Sequence, residues 1–336
     1  MQMENDTVVK VQGLKKWFDL SSGIVESLLS RQERYVKAVD GVTFDIKRGE
    51  IFGLVGESGC GKTTTGRLIM GVTKPTEGQV FFDGVDLTTI KEREEVKKLA
   101  LKRQMFFQDP YEYLSPWLTL KDTLAEPLRI HDLVSDKDEE LEKVLEIMET
   151  VDLTPVEMLL PKYSYELSGG QRQRVVIARA LLLNPSFIVA DEPVSMLDVS
   201  IRVGILNLLL DMKRKFSLTL LFITHDIAVS RYMCDRIGVM YLGKIVERGP
   251  TETIINKPLH PYTQALLSAV PVPDPKISRS EIPIKGRIPT STYDFPGCRF
   301  APRCPYAEDH CARGESELVE VANDHFVACP RAQGSA

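Results

Sequence analysis

Nowhere in the 336 residues do about 18 apolar residues run together, so no segment is expected to span a bilayer. The longest apolar runs, such as Leu218–Ile223, are strand-sized. The first residues, MQMENDTVVKV, contain no apolar stretch of the kind a secretory leader needs. The expectation is a protein made and kept in the cytosol, with any membrane role reached through a partner. Basic excess is also missing: 42 Lys and Arg stand against 47 Asp and Glu, a formal net charge of −5. That balance argues against nucleic acid as the main partner. No internal repeat is present. Cysteine is scarce and uneven. Cys60 and Cys234 are isolated, whereas Cys298, Cys304, Cys311 and Cys329 crowd near the C-terminus. In a reducing compartment such a cluster reads as metal binding before disulfide. What the chain does have is a 43% hydrophobic composition, enough to bury a real core.

Residues 8–55 read as β-rich, with short runs at Val8–Val11, Thr43–Ile46 and Ile51–Val55 and a looser insertion at 21–34. A helix is expected at roughly Lys62–Met70. Val80–Phe82 followed by Asp83–Gly84 suggests a hairpin, and Lys91–Lys102 a charged helix. From Gln108 to Tyr165 the apolar residues recur at helical spacing, as in Leu141, Val144, Leu145, Met148 and Val151, which predicts a helical insertion. Then helix Gly170–Leu183, strand Phe187–Ala190, helix Ile201–Phe216 and strand Leu218–Thr224 alternate, implying a largely parallel sheet covered by helices. Ile237–Gly249 reads as a hairpin turning near Gly243. Beyond about Asn256 the chain is rich in proline, from Pro258 to Pro305, and is expected to hold little regular structure without a staple.

The segment Gly56-Glu-Ser-Gly-Cys-Gly-Lys62-Thr63 matches G-x-x-x-x-G-K-[ST], between an expected strand and an expected helix. Its glycines let the backbone curl so that N–H groups point at phosphate oxygens, and the helix N-terminus adds positive potential. Lys62 supplies a charge to the β- and γ-phosphates, and the Thr63 hydroxyl is placed to ligate Mg²⁺. A chance glycine-rich turn is the competing reading, and the full motif in context outweighs it. The sequence therefore predicts ATP binding and Mg²⁺-dependent hydrolysis. In Phe187-Ile-Val-Ala190-Asp191-Glu192, Asp191 falls at the tip of a buried strand, fit to hold Mg²⁺, and Glu192 is placed to orient the attacking water. By itself the pair reads equally well as a solvated strand end. Leu167-Ser168-Gly169-Gly170-Gln171, before a helix bearing Arg172 and Arg174, makes a second anion site, or a plain helix cap. One nucleotide seldom needs two such sites, so this one is expected to face the nucleotide of a second subunit.

In this order the elements resemble the ATP-binding cassette (ABC) family, whose L-S-G-G-Q signature is present unchanged. Gln108 in Phe106-Phe-Gln-Asp-Pro110 resembles the Q-loop, and His225 in Thr224-His-Asp226 the switch histidine. Asp198 in Ser195-Met-Leu-Asp198 resembles the D-loop, with Met196 in place of the usual alanine. The resemblance covers roughly 7–255. It implies an α/β P-loop NTPase: a RecA-like core, an antiparallel β-subdomain and a helical subdomain at about 108–168. It also implies two cassettes closing head to tail around two ATP molecules. Gly56, Glu57, Ser58, Gly59, Cys60, Gly61, Lys62, Thr63 and Thr64 would hold one nucleotide. Ser168, Gly169, Gly170, Gln171 and Asp198 would reach the partner's. Thr63, Gln108 and Asp191 would serve Mg²⁺, while Glu192, His225 and Gln108 carry the chemistry. Phe18 best fits the family's adenine-stacking aromatic, with Trp17 or Tyr35 as alternatives; core packing is the competing reading for each.

His260-Pro-Tyr-Thr-Gln-Ala-Leu-Leu267 and the proline-rich stretch after it resemble the C-terminal extension (256–336) of the oligopeptide/dipeptide importer subfamily. The resemblance implies an ATPase subunit on the cytoplasmic face of the membrane. It would be paired with a second, similar cassette, two transmembrane permease subunits and an extracytoplasmic substrate-binding protein. Close relatives carry oligosaccharides or nickel. A soluble ABC ATPase acting on nucleic acid or ribosomes is the alternative of another class, but that type commonly has two cassettes per chain. The four cysteines are separated by five, six and seventeen residues. Structural zinc sites usually include a pair about two to four residues apart; four thiolates also hold a [4Fe–4S] cluster, which some peptide-importer cassettes carry here. Cluster, zinc, and free or bridged thiols stay open, in that order. Cys60 is needed only for its backbone, and Cys234 reads as packed within a helix.

Overall fold

Residues 7–19 and 35–47 alternate buried and exposed side chains, the pattern of strands with one face on a core. The computed structural model describes residues 6–20, 35–107, 109, 113–270, 284, 286, 296–314 and 316–334. The looser insertion at 21–34, Gln108, Pro110 and the prolines at 271, 273, 275, 283 and 289 lie outside them. The chain divides into two compact units. One comprises the residues up to Thr89 and from Phe222 onward; the other is Ile90–Leu221.

In the first unit, the strands Tyr35–Lys47, Thr7–Asp19, Glu77–Phe82 and Val85–Asp86 form an antiparallel sheet in that order. Val9 stands opposite Ile46 on one side and Phe82 on the other, and all three are buried. The hairpin expected at Asp83–Gly84 is present, with φ of 46° and 79°, the mirror-image turn whose twist matches paired strands. The first strand runs well past Val11. Its polar half stays strand because Leu14–Asp19 remain paired with Tyr35–Val42, and Lys15 adds an exposed ion pair to Glu77 at 2.7 Å.

Ile51–Val55 is buried at every residue, as a strand covered on both faces must be. It runs parallel to Arg236–Tyr241, which turns at Leu242–Gly243 into Lys244–Pro250. Here the tail departs from expectation. Helices Thr251–Asn256 and Pro261–Ser268 follow directly, and a hairpin, Val319–Ala322 with His325–Val327, extends the sheet by pairing Glu247 with Val327. Backbone pairing therefore holds the tail as well as any cysteine chemistry. Within the same unit Arg236 meets Glu50 and Asp45 at 3.3 Å and Asp324 of the tail hairpin at 2.8 Å. Cys234 lies just past helix Ile227–Met233, in extended backbone, rather than within the helix. A Cβ on Gly53 would come within 2.7 Å of its sulfur.

In the second unit, Arg103–Phe106 runs parallel to Phe187–Asp191. The expected helical insertion is there: Leu120–Ile130 capped by Thr119, Lys137–Thr150 capped by Asp136, and the short Val156–Leu159. Arg129 grips Glu140 with two bonds of 2.6 and 2.7 Å, tying the first two of these helices together. Helices Gly169–Leu181 and Val199–Phe216 complete the unit. Strand Thr219–Thr224 carries the chain across the division. Among the described residues no helix is long and apolar enough to cross a membrane.

Candidate nucleotide site

Strand Ile51–Val55 delivers the phosphate loop, and helix Lys62–Ile69 leaves it. Gly61 sits at φ +107°, and a Cβ there would lie 2.1 Å from the Ala38 carbonyl oxygen, so no other residue fits. A Cβ on Gly56 would lie 2.2 Å from the Met240 carbonyl oxygen. The loop is thus threaded between two neighbouring backbones. The helix's first turn carries no acidic residue, leaving its positive end for an anion. Lys62 is buried, and its ammonium donates to the Gly56 and Glu57 carbonyls at 2.7 and 3.0 Å, holding the curl closed. Thr63 and Thr64 are half-buried on the first turn. Cys60 is buried, and burial pushes its thiol up. Its carbonyl accepts from Gly243 N–H at 2.8 Å, and its sulfur lies 3.8 Å from the Lys62 ammonium.

Glu57 has partners that the sequence did not signal. Its N–H donates to the Tyr262 hydroxyl at 3.0 Å, and Arg303 donates to both carboxylate oxygens, at 2.9 and 3.2 Å. These partners lie 205 and 246 residues along the chain.

In the second unit, Asp191 ends a fully buried strand and is itself buried. Glu192 follows at φ +47°, the left-handed region that ordinary residues avoid. Its carbonyl accepts from the Ser195 N–H and hydroxyl, at 3.2 and 3.0 Å, closing a tight turn. Strained backbone of this kind clusters at functional sites. Ser168 caps helix Gly169–Leu181. Its hydroxyl accepts from Gln171 N–H at 3.3 Å, while Ser168 N–H donates to the Gln171 side chain at 3.0 Å. The plain-cap reading is therefore true of these side chains. The two glycines have a packing reason as well: a Cβ on Gly170 would lie 2.7 Å from Ile201, and one on Gly169 3.3 Å from Leu197. Asp198 precedes helix Val199–Phe216, and Arg202 steadies its approach by donating to the Leu197 carbonyl at 2.7 Å.

His225 is exposed directly after strand Thr219–Thr224. Asp226 caps the next helix through Ala228 N–H at 2.9 Å. Phe18 is exposed near the end of its strand. Trp17 instead donates its indole N–H to Asp40 at 3.1 Å and lies against Tyr35 and Lys37. Cys298, Cys304, Cys311 and Cys329 line one small cavity of about 20 Å³. Cys298 N–H donates to the Cys311 carbonyl at 2.8 Å. Burial pushes the Cys298, Cys304 and Cys329 thiols up. Among the described residues no group of three or more His, Cys, Asp or Glu is arranged to hold a metal ion.

The sequence matches the ABC transporter family over residues 39–195, and the oligopeptide/dipeptide transporter C-terminal region over 246–311. The oligopeptide transport ATP-binding protein AppF of Bacillus subtilis strain 168 is 45% identical over 326 residues, 96% of this chain and 97% of AppF. The chain belongs to the ABC transporter ATP-binding family. A putative peptide import ATP-binding protein of Brucella ovis is 45% identical to this ABC cassette over 329 residues, 98% of this chain and 99% of that one. Among solved structures, a dimeric post-hydrolysis state of the ATP-binding cassette MJ0796 bound to ADP and phosphate is similar, at TM-score 0.62 and 30% identity. It covers 72% of this chain and 98% of that one. The fold is that of an ABC-type P-loop NTPase, and ABC cassettes are ATPases that power transport, with ATP and Mg²⁺ as their expected cofactors.

Proposed function

We propose that this cassette is the ATP-hydrolysing subunit of an ABC importer of di- or oligopeptides. One observation carries the reading: a complete phosphate loop joined in one chain to a peptide-transporter C-terminal region at 246–311. Residues 1–255 form the nucleotide-binding domain in this reading, and 256–336 the importer extension. Gly56–Thr64 bind the phosphates. Lys62, now on the Gly56 and Glu57 carbonyls, turns its charge to the β- and γ-oxygens. Thr63, Asp191 and Gln108 hold Mg²⁺, which when bound neutralises charge on the phosphates. Glu192 accepts a proton from, or aligns, the attacking water. His225 contacts the γ-phosphate, and Phe18 stacks on adenine. Ser168–Gln171 and Asp198 face the nucleotide of a second cassette, so neither subunit has a whole site alone.

The working assembly in this reading is a heterodimer of cassettes on the cytoplasmic face of the membrane. Two permease subunits and an extracytoplasmic substrate-binding protein complete it. Its test is reconstitution with co-purified permeases in liposomes. Peptide-loaded binding protein should stimulate ATP hydrolysis and drive peptide uptake. Stimulation by an oligosaccharide or nickel instead would reassign the cargo, and no membrane partner at all would overturn the importer reading.

The extension's cysteines are proposed to hold a [4Fe–4S] cluster. The support for this is that all four thiols line one cavity. Anaerobically purified protein should contain about four iron atoms and matching sulfide per chain. Stoichiometric zinc without iron would exclude the cluster.

A further inference from the structure

We propose that the cysteine-bearing extension grips the phosphate loop through Arg303, which makes Arg303 a positioning residue for nucleotide binding. The inference rests on the ATPase reading above and extends it to a part of the chain that touches no nucleotide in that reading.

Glu57 is the second residue of the loop, and each of its polar groups is engaged. The N–H donates to Tyr262, the carbonyl accepts from Lys62 at 3.0 Å, and the carboxylate receives the Arg303 fork. The orientation of this peptide decides where the loop's remaining N–H groups point, and a loop already fixed loses less conformational freedom on binding a phosphate. Two of these contacts, from Tyr262 and Arg303, come from beyond residue 255, and unlike that of Lys62 they are not given up to the phosphates in the reading above. The Arg303 side chain is 8% exposed and its guanidinium also lies over the Tyr241 ring, so the cation is shielded from water, while the Glu57 side chain is 25% exposed.

Arg303 is itself held in place by the cysteine segment. It sits between Cys298 and Cys304 on a tight turn in which Ala301 N–H donates to the Cys298 carbonyl and Arg303 N–H to the Phe300 carbonyl. Phe300 is fully buried, with its ring 5.3 Å from Tyr241 and 5.4 Å from Tyr262. Arg299, on the same turn, donates to the Leu242 carbonyl and to Asp40. The path from cysteine turn to phosphate loop is therefore one covalent step and one bidentate ion pair long. A tail that only needed fastening to the domain already has the strand pairing at Glu247–Val327. The Arg303 contact lands on the phosphate loop instead.

The test is calorimetric binding of Mg·ATP to the full chain for wild type, Arg303→Ala, Glu57→Ala and the double variant. Each single substitution should raise Kd about tenfold, equivalent to ~1.4 kcal/mol, and the double no further, because both remove one interaction. Arg303→Lys keeps the charge but loses the fork, and should fall between wild type and Arg303→Ala. In the assembled transporter, KM for ATP should rise with kcat little changed. Lowered thermal stability with unchanged Kd, or strictly additive effects of the two substitutions, would reduce Arg303 to a tail fastener and overturn the proposal. If Arg303→Ala does not fold, Glu57→Ala and Glu57→Gln give the same reading from the exposed side of the pair. A wild-type chain that binds no Mg·ATP would fail the ATPase reading itself, an outcome separable from any variant's.

Discussion

Replacing Glu192 with glutamine is expected to lower ATP turnover by about 10²–10⁴-fold, the usual worth of a positioned general base, while Mg·ATP still binds. Glutamine keeps the side chain's length and hydrogen-bonding reach but accepts no proton. The backbone supports that choice of residue. Glu192 is held at φ +47° with its carbonyl fixed by Ser195, a conformation costing on the order of 1–3 kcal/mol. Glu192→Asp, one methylene shorter, falls short of the same water and should also lose most activity. Steady-state phosphate release from the assembled transporter, paired with equilibrium ATP binding, measures both effects. Because the proposed site is shared between two cassettes, Glu192→Gln should also accumulate as an ATP-bound dimer in light scattering. Unchanged turnover in this variant would remove Glu192 from the mechanism.

Arg236→Ala carries the largest expected effect on stability, a loss of about 3–5 kcal/mol. The Arg236 side chain is 8% exposed and meets three carboxylates: Glu50, itself 6% exposed, and the half-buried Asp45 and Asp324. Removing the cation leaves Glu50 buried without its counter-charge, and it cuts the tail hairpin's tie to the domain at Asp324. Burial already holds the Glu50 carboxyl above its ordinary range, with Arg236 pulling it back down. Without Arg236 the folded-state value rises further. A carboxyl raised in the folded state binds its proton more readily folded than unfolded, so stability falls as pH rises through that value. The deficit of Arg236→Ala should therefore be widest above the folded-state Glu50 value and narrow as pH drops through it toward the ordinary carboxylate range. Adding Glu50→Gln should recover part of the loss. Urea unfolding of both variants across that range checks the sign as well as the size. A deficit that does not vary with pH would mean the loss is one of packing rather than of charge.

Much of the candidate site was legible because its chemistry is written in neighbours. A phosphate loop needs glycines and a lysine within two turns of chain. A helix cap needs Ser168 and Gln171 three residues apart, and a strand-end acid needs only the apolar run before it. The hairpin at Asp83–Gly84 was readable for the same reason, since both residues tolerate positive φ. The two short strands of the tail were not, because Val319–Ala322 and His325–Val327 are too brief to show a period. Their identity as strands comes from the edge offered by Lys244–Pro250.

The sequence by itself determined the family, the phosphate-loop motif and, before about Asn256, much of the alternation of strands and helices, since each depends on residues within a turn or two of one another. Only the tertiary structure decided what surrounds them. It put Ile201 against Gly170, Ala38 against Gly61, Asp324 against Arg236, and Tyr262 and Arg303 around Glu57. Partners so distant along the chain leave no periodicity or spacing to read. They are fixed by strand register and close packing, which exist only once the chain has folded.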